Sequence, residues 1–270
     1  MYTSVKEIRA FNGWMPFEVK NETLAKISGT EFKTSKRPLV DNDFDGQIID
    51  DVVVYVNGTQ TSVSAVDAER GVITLASAPP SGATVTADYY WHPIGDSEIQ
   101  LAIGYAEAEI RAATGIIFEA HTTVEHITLY YGSEFSLAEP IIAISEIIAN
   151  GKPLASDEYE ILAPEAGRVK LKMLAAGIPA PPWFLPRPLN LKVTYQAGYA
   201  EVPDIVRQAA TLIASYQLLL RLQRQITFSE DYGGVAAAFK SPAELTERLE
   251  FLREEVERVK SQLPRRVGKI

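Results

Sequence analysis

The sequence predicts an α+β fold: a helical bundle of two or three long helices with β-rich insertions, including an N-terminal β-region. Three observations lead there. In LNLKVTYQAGYAEVPDIVRQAATLIASYQLLLRL (189–222), Leu191, Val193 and Tyr195 alternate with polar residues, the period of a half-buried strand. Gly198 breaks that strand and Pro203 stands at a first helical turn; Ile205, Ala209, Leu212, Ile213, Tyr216, Leu219 and Leu220 then recur at helical spacing. Further on, Leu245, Leu249, Leu252, Val256, Val259 and Leu263 form a short heptad seam, expected to pack on the preceding helix as a helical hairpin. The third observation is the strand-like alternation of Val52, Val54 and Val56 ahead of Asn57-Gly58, a type I′ hairpin signal.

Composition fits a folded chain with its own core. Of 270 residues 46% are hydrophobic. There is no cysteine, which excludes disulfides and thiolate chemistry and suits a reducing compartment. MYTSVKEIRAFNGW lacks the apolar stretch of a secretory signal, and no run approaches the ~20 apolar residues of a membrane span. With 35 acidic against 26 basic residues the net charge is -9, which speaks for solubility and against a protein that wraps nucleic acid with a basic face.

In chain order, residues 1–30 read as two short helices: Ser4 and Glu7 make a capping box, and Asn21 caps Glu22–Ser28 with Gly29 as the stop. Residues 31–50 read as polar and irregular. DNDFDGQIIDD (41–51) holds five aspartates, but without the glutamate that closes a calcium loop it reads as a solvated loop. Strands follow at Thr61–Val66, Val72–Leu75 and Thr84–Tyr90. A helix starts at Asp96 or Ser97, buries Ile99, Ile103, Ala106, Ile110 and Ala113, and ends at Thr114-Gly115. Strands are expected at 122–131, 141–148, 159–162 and 169–171. IPAPPWFLPRP (178–188) is too proline-rich for helix or central strand and reads as an extended arm, with Trp183 and Phe184 as apolar anchors for their own domain or a neighbouring subunit. Ser241-Pro242-Ala243-Glu244 starts the last helix, and Pro264 ends it before a basic tail. The domains expected are 1–95, with short helices and the β-rich region, and 96–270. The second holds helix 96–114, β-section 122–196, helix 203–226, helix 242–263 and tail 264–270.

Two stretches share one plan. VYVNG, VDAERGVITL, VTADYYW and a helix from Asp96 are echoed by EIIANG, YEILAPEAGRVKL, LKVTYQAGY and a helix from Pro203. Duplication and convergent turn chemistry both produce such a pattern. Chemistry is harder to find. His121 and His126 are five apart, on opposite faces of a strand, and HExxH, GxxxxGK[ST], GxGxxG and GxSxG are all missing. The expectation is no catalytic residue, no cofactor and no metal.

One combination is familiar: a helix ending TGIIFE, then strands, then VTYQAGYAEVPDIVRQAATLIASY. It resembles the head–tail connector (adaptor, head-completion) proteins of tailed viruses. The elbow phrase of that family is carried here by Thr194, Tyr195, Gly198, Tyr199, Val202, Pro203, Ile205, Ala209 and Tyr216, and the resemblance spans about 96–225. It makes 96–270 a connector-like core, with Gly198 and Pro203 as the structural elbow. The β-region at 31–90 and the long β-section between the main helices depart from the short members of the family. The resemblance implies a virion structural protein at the head–tail interface, assembled in the host cytoplasm. Its partners would be the portal protein, a stopper or tail-completion protein, and its own copies in a homo-oligomeric ring of about a dozen subunits. DNA would pass through without sequence-specific binding, and no membrane is involved. It also implies portal binding by the tail residues Arg265, Arg266 and Lys269; the candidate subunit contact at Trp183 and Phe184 rests on their apolar character alone. The runner-up is a receptor- or carbohydrate-binding β-module of a tail fibre or baseplate; an enzymatic tail lysin ranks third.

An acidic conduit wall repels phosphates, and no basic face releases counterions. The isolated chain is therefore expected to leave free duplex DNA unbound in a salt titration. Tight binding that weakens as salt rises would contradict this.

Overall fold

The computed structural model describes residues 1–130, 132–172, 188–228 and 242–264. Among these residues four α-helices form: α1 (Val5–Asn12), α2 (Asp96–Thr114), α3 (Asp204–Phe228) and α4 (Pro242–Gln262). Ahead of α2 lie β1 (Phe17–Thr23), β2 (Ala25–Lys26), β3 (Glu31–Lys33), β4 (Val53–Val56), β5 (Thr59–Thr61), β6 (Val63–Asp67), β7 (Val72–Leu75) and β8 (Val85–Trp91). Between α2 and α3 lie β9 (His121–Leu129), β10 (Glu134–Ser136), β11 (Ile141–Ala149), β12 (Lys152–Pro153), β13 (Tyr159–Ala163), β14 (Arg168–Leu171) and β15 (Leu189–Ala197).

These strands make four antiparallel sheets, in the orders β1-β8-β4-β5, β2-β3-β7-β6, β12-β11-β15-β9 and β10-β14-β13. The expected helical bundle is thereby corrected. The fold is β-rich, and no bundle of two or three long helices is seen among the described residues. The heptad seam of α4 is buried along its length, yet buried helix faces do not decide the architecture. The strand pairings that do join segments far apart in sequence, and a local periodicity scan cannot register them.

Local differences have local causes. The helix expected over 22–28 is replaced by the end of β1 and by β2. Asn21 spends its tolerance of left-handed backbone (φ 52°) inside the register shift of β1, where its N–H donates to Asp88 Oδ1 at 2.7 Å. Leu24 and the flanking Val19 join the core of Phe32, Val54, Ile73, Ala87 and Tyr89. The region 31–50, expected to be irregular, contains β3. The strand expected at Thr61–Val66 divides into β5 and β6, which belong to different sheets. The Ser4/Glu7 capping box forms, and Gly115 (φ 70°) closes α2 after Thr114.

The chain divides into two compact units. One holds Met1, Thr3–Glu109 and Gln208–Gln262; the other holds Tyr2, Ile110–Arg207 and Leu263–Ile270. Each unit contains one pair of sheets, and the two pairs have one topology. Sheet β1-β8-β4-β5 matches β9-β15-β11-β12 strand for strand, and β3-β7-β6 matches β10-β14-β13. The match reaches single bonds. Asn57 N donates to Thr84 O while Thr84 N donates to Asn57 Oδ1; Asn150 and Asn190 exchange the same two bonds, all four at 2.9 Å. Asn57-Gly58 (φ 51°, 82°) and Asn150-Gly151 (φ 47°, 84°) make the same turn. Tyr89 donates to Glu22 on the edge strand of its sheet, and Tyr195 donates to Glu125 on the edge strand of its own. Turn chemistry alone does not reproduce topology together with these long-range bonds, so the repeat in the sequence is a repeat of the whole sheet pair.

Within the first unit a buried ion pair ties the N-terminal helix to α2. The Arg9 side chain is 0% exposed. Its Nη2 donates to Asp96 Oδ1 at 2.7 Å and to the Ile94 carbonyl at 2.9 Å, its Nε to the same Oδ1 at 3.0 Å, and its Nη1 to the Trp14 carbonyl at 3.2 Å. Asp96 Oδ2 accepts from Asp41 N at 2.9 Å. Beside it His92 packs on Phe17 and Trp14, and burial, followed by the Arg9 charge, lowers its pKa to about 4. The ring is therefore neutral at neutral pH, and the Ile94 N–H donates to Nδ1. Removing one partner of such a pair strands the other charge. Asp96→Asn is expected to lower unfolding free energy by about 3–5 kcal/mol in a denaturant titration. A change within ~0.5 kcal/mol would mean that the pair holds nothing together.

Candidate functional site

The elbow is built from a central strand. β15 lies between β9 and β11, and Leu191, Val193, Tyr195 and Ala197 point into the core of the second unit. Their polar alternates face outward, so the strand is pinned in register and delivers Gly198 at a fixed place.

Gly198 takes φ 100°, a conformation that side-chain-bearing residues rarely adopt. A Cβ there would lie 2.3 Å from the Glu119 carbonyl oxygen and 2.9 Å from its carbon. These are backbone atoms at the entry to β9 and cannot swing aside. The Gly198 N–H donates to the Pro140 carbonyl at 3.1 Å, and the Tyr199 N–H to the Phe118 carbonyl at 3.3 Å. The Tyr199 ring stacks on Phe118, centroids 5.6 Å apart. Phe118 in turn meets the Tyr2 ring edge-on at 5.8 Å and donates its N–H to the Tyr2 hydroxyl at 3.1 Å. Arg111 joins the cluster through Tyr2, 5.6 Å over its ring, and through Glu119, at 2.7 Å. Pro203 stands one residue before α3, and its carbonyl accepts from Val206 N at 2.9 Å and Arg207 N at 3.0 Å, closing the first turn.

TGIIFE (114–119) and the elbow phrase, some 80 residues apart in the chain, thus meet in space through Phe118, Glu119, Gly198 and Tyr199. Sequence reasoning named the elbow glycine and proline but gave no role to Glu119, Phe118 or Tyr2. The one available signal was the TGIIFE string itself; nothing in the sequence points to Tyr2. Trp183, Phe184, Arg265, Arg266 and Lys269 lie outside the described residues, as does most of the proline-rich arm.

The aspartate loop does bring side chains together: carboxylate oxygens of Asp41, Asp43 and Asp45 lie within 4.8 Å of one another. The loop uses them on itself. Asp41 accepts from Phe44 N and Gly46 N, both at 2.6 Å, Asp43 from Asp45 N at 3.0 Å, and Asp45 from Gln47 N at 2.7 Å. In the second unit an open groove of about 460 Å³ is lined by His126, Thr128, Ile148, Asn150, Asn190 and Lys192. Among the described residues no helix is long and apolar enough to cross a membrane.

At Gly198 both the φ angle and the close carbonyl oppose a side chain. Gly198→Val is expected to cost on the order of 3 kcal/mol in a chemical melt. A variant that melts like the parent would show that the elbow tolerates another geometry.

No protein-family model and no curated protein matches the chain. Among solved structures, a chain in the neck of an empty gene transfer agent particle, computed with C6 symmetry, is similar at 17% identity and a TM-score of 0.35. The match covers 65% of this chain and 80% of that one. A chain in the virion of a native gene transfer agent particle is similar at 18% identity and a TM-score of 0.33, with the same coverage.

Proposed function

We propose that this chain is a structural virion protein of the head–tail region: an adaptor that forms a ring between portal and tail and lets DNA pass. One observation supports the reading above the others. The two pieces of sequence that carry the resemblance to head–tail connectors, TGIIFE and the elbow phrase, pack on each other around Gly198. The elbow, and not the likeness to particle structures, carries it. In this reading the chain performs no catalysis. It offers one face to the portal and another to a stopper or tail-completion protein, and its acidic balance of -9 keeps DNA from adhering.

The fibre or baseplate module remains the second reading, because the fold is β-rich and the groove on sheet β12-β11-β15-β9 is lined by amide, hydroxyl and imidazole side chains. The two readings part on binding partners: an adaptor co-sediments with portal rings of its own virus, whereas a fibre module ignores them and is retained by a glycan surface.

Arg265, Arg266 and Lys269 are cations at the end of an acidic chain, suited to an acidic docking surface on the portal. Deleting 265–270 is expected to leave the melting temperature unchanged and to abolish co-sedimentation with portal rings. Undiminished co-sedimentation would remove the tail from the interface.

A further inference from the structure

His121 opens β9, and both of its ring nitrogens face oxygen. Nδ1 lies 3.0 Å from the Glu119 carbonyl oxygen, and Nε2 lies 3.0 Å from Glu139 Oε2. The His121 and Glu139 side chains are only 26% and 16% exposed. Glu139 Oε2 is buried, and among the described residues no hydrogen bond reaches it. The Nε2 contact is one of charge, and a buried carboxylate oxygen without a donor is costly unless a charge answers it. A neutral imidazole carries one N–H and one lone pair. Either neutral tautomer therefore turns a lone pair on an oxygen 3.0 Å away, the Glu119 carbonyl or the Glu139 carboxylate. The imidazolium presents a donor to both.

The groups around the ring agree in sign. Glu139 stands in the turn between β10 and β11, and Glu125 lies on the same face of β9 as His121. Tyr195 of β15 joins these two: its hydroxyl donates to Glu125 and accepts from the Glu139 N–H. Arg111, a cation at the entry to β9, is paired with the Glu119 carboxylate. The first unit builds the equivalent place without a titrating ring. Phe17 stands opposite Trp91 as His121 stands opposite Ala197, and Lys36, whose N–H donates to the Tyr89 hydroxyl, lies over the Trp91 ring.

We infer that His121 is a proton-dependent clasp on the elbow: as an imidazolium it ties the Glu119 carbonyl to the Glu139 turn, and on losing its proton it releases one of them. Both ends of the clasp bear on Gly198. The Glu119 carbonyl is the group that bars a side chain there, and the turn that carries Glu139 receives the Gly198 N–H at the Pro140 carbonyl. A histidine that gains a carboxylate partner on folding stabilises the protonated folded form. Its contribution is present at low pH and lost as pH rises. The elbow is therefore firm on the acid side of neutrality and opens more readily on the alkaline side.

With three histidines in the chain the test is direct. Protection factors of the Gly198 and Tyr199 amides are read by hydrogen exchange at about pH 6 and about pH 8.5, either side of the ordinary histidine range. In the parent chain they are expected to fall about tenfold between the two. His121→Gln keeps a donor without the titration, and Glu139→Gln removes the buried charge; neither is expected to show the fall. His126→Gln, at an exposed position on the opposite face of the same strand, is expected to keep the parent profile. His92 is neutral at both pH values. A flat profile in the parent overturns the inference, and so does a parent-like fall in His121→Gln or Glu139→Gln, or its loss in His126→Gln. The parent and Glu139→Gln profiles decide the matter even where His121→Gln does not fold. No portal, tail protein or DNA takes part, so every outcome leaves the adaptor reading untouched.

Discussion

A tyrosine hydroxyl donated to a glutamate is the bond on which each unit depends, and the chain makes it twice. Tyr89 and Tyr195 are fully buried in the central strands β8 and β15. Burial, followed by the hydrogen-bonded glutamate, pushes both phenols well above their ordinary range, so they remain neutral donors. Each glutamate lies on the first strand of its repeat, and its Oε1 also accepts a backbone N–H from the turn after the third or tenth strand: Ser35 at 2.6 Å and Ala138 at 2.8 Å. A single carboxylate thereby fastens the first strand, the last strand and an intervening turn. An inward carboxylate without these donors would be an unsatisfied charge beside the core.

The two units vary one plan where the sheet hands over to a helix. His92 N donates to the Pro38 carbonyl at 3.3 Å, and Gly198 N donates to the Pro140 carbonyl at 3.1 Å, so these residues occupy the same position. In the first unit a side chain fills it, stacked on Phe17 and tilted against Trp14. In the second the absence of a side chain lets the Glu119 carbonyl approach instead. The first handover is further secured by Arg9 reaching Asp96, the first residue of α2.

Much of the local structure could be read from residues whose conformational preference is strong. Asn57-Gly58 and Asn150-Gly151 gave the hairpins, Ser4 with Glu7 the first helix, Thr114-Gly115 the end of α2, and the shared order of turns the repeat. What could not be read depends on distant partners. The strand character of 17–23 comes from β8, more than sixty residues away, and the seam on α4 suggested a bundle because periodicity reports burial without saying what covers it. Of the elbow, Gly198 and Pro203 were legible; Glu119, against which Gly198 must be a glycine, was not, since its contribution is a backbone carbonyl that any residue has.

The order of strands within each repeat has a consequence for synthesis. β9 completes its ladder only with β15, His121 waiting for Ala197 and Leu129 for Leu189; β1 waits in the same way for β8. As the ribosome releases the chain, the first strand of each repeat emerges long before the strand it pairs with exists. Each sheet pair can close only when its final strand arrives. The nascent chain thus matures in two late steps, one per repeat, and in the interval each first strand is an unpaired edge that a chaperone or a neighbouring nascent chain can reach.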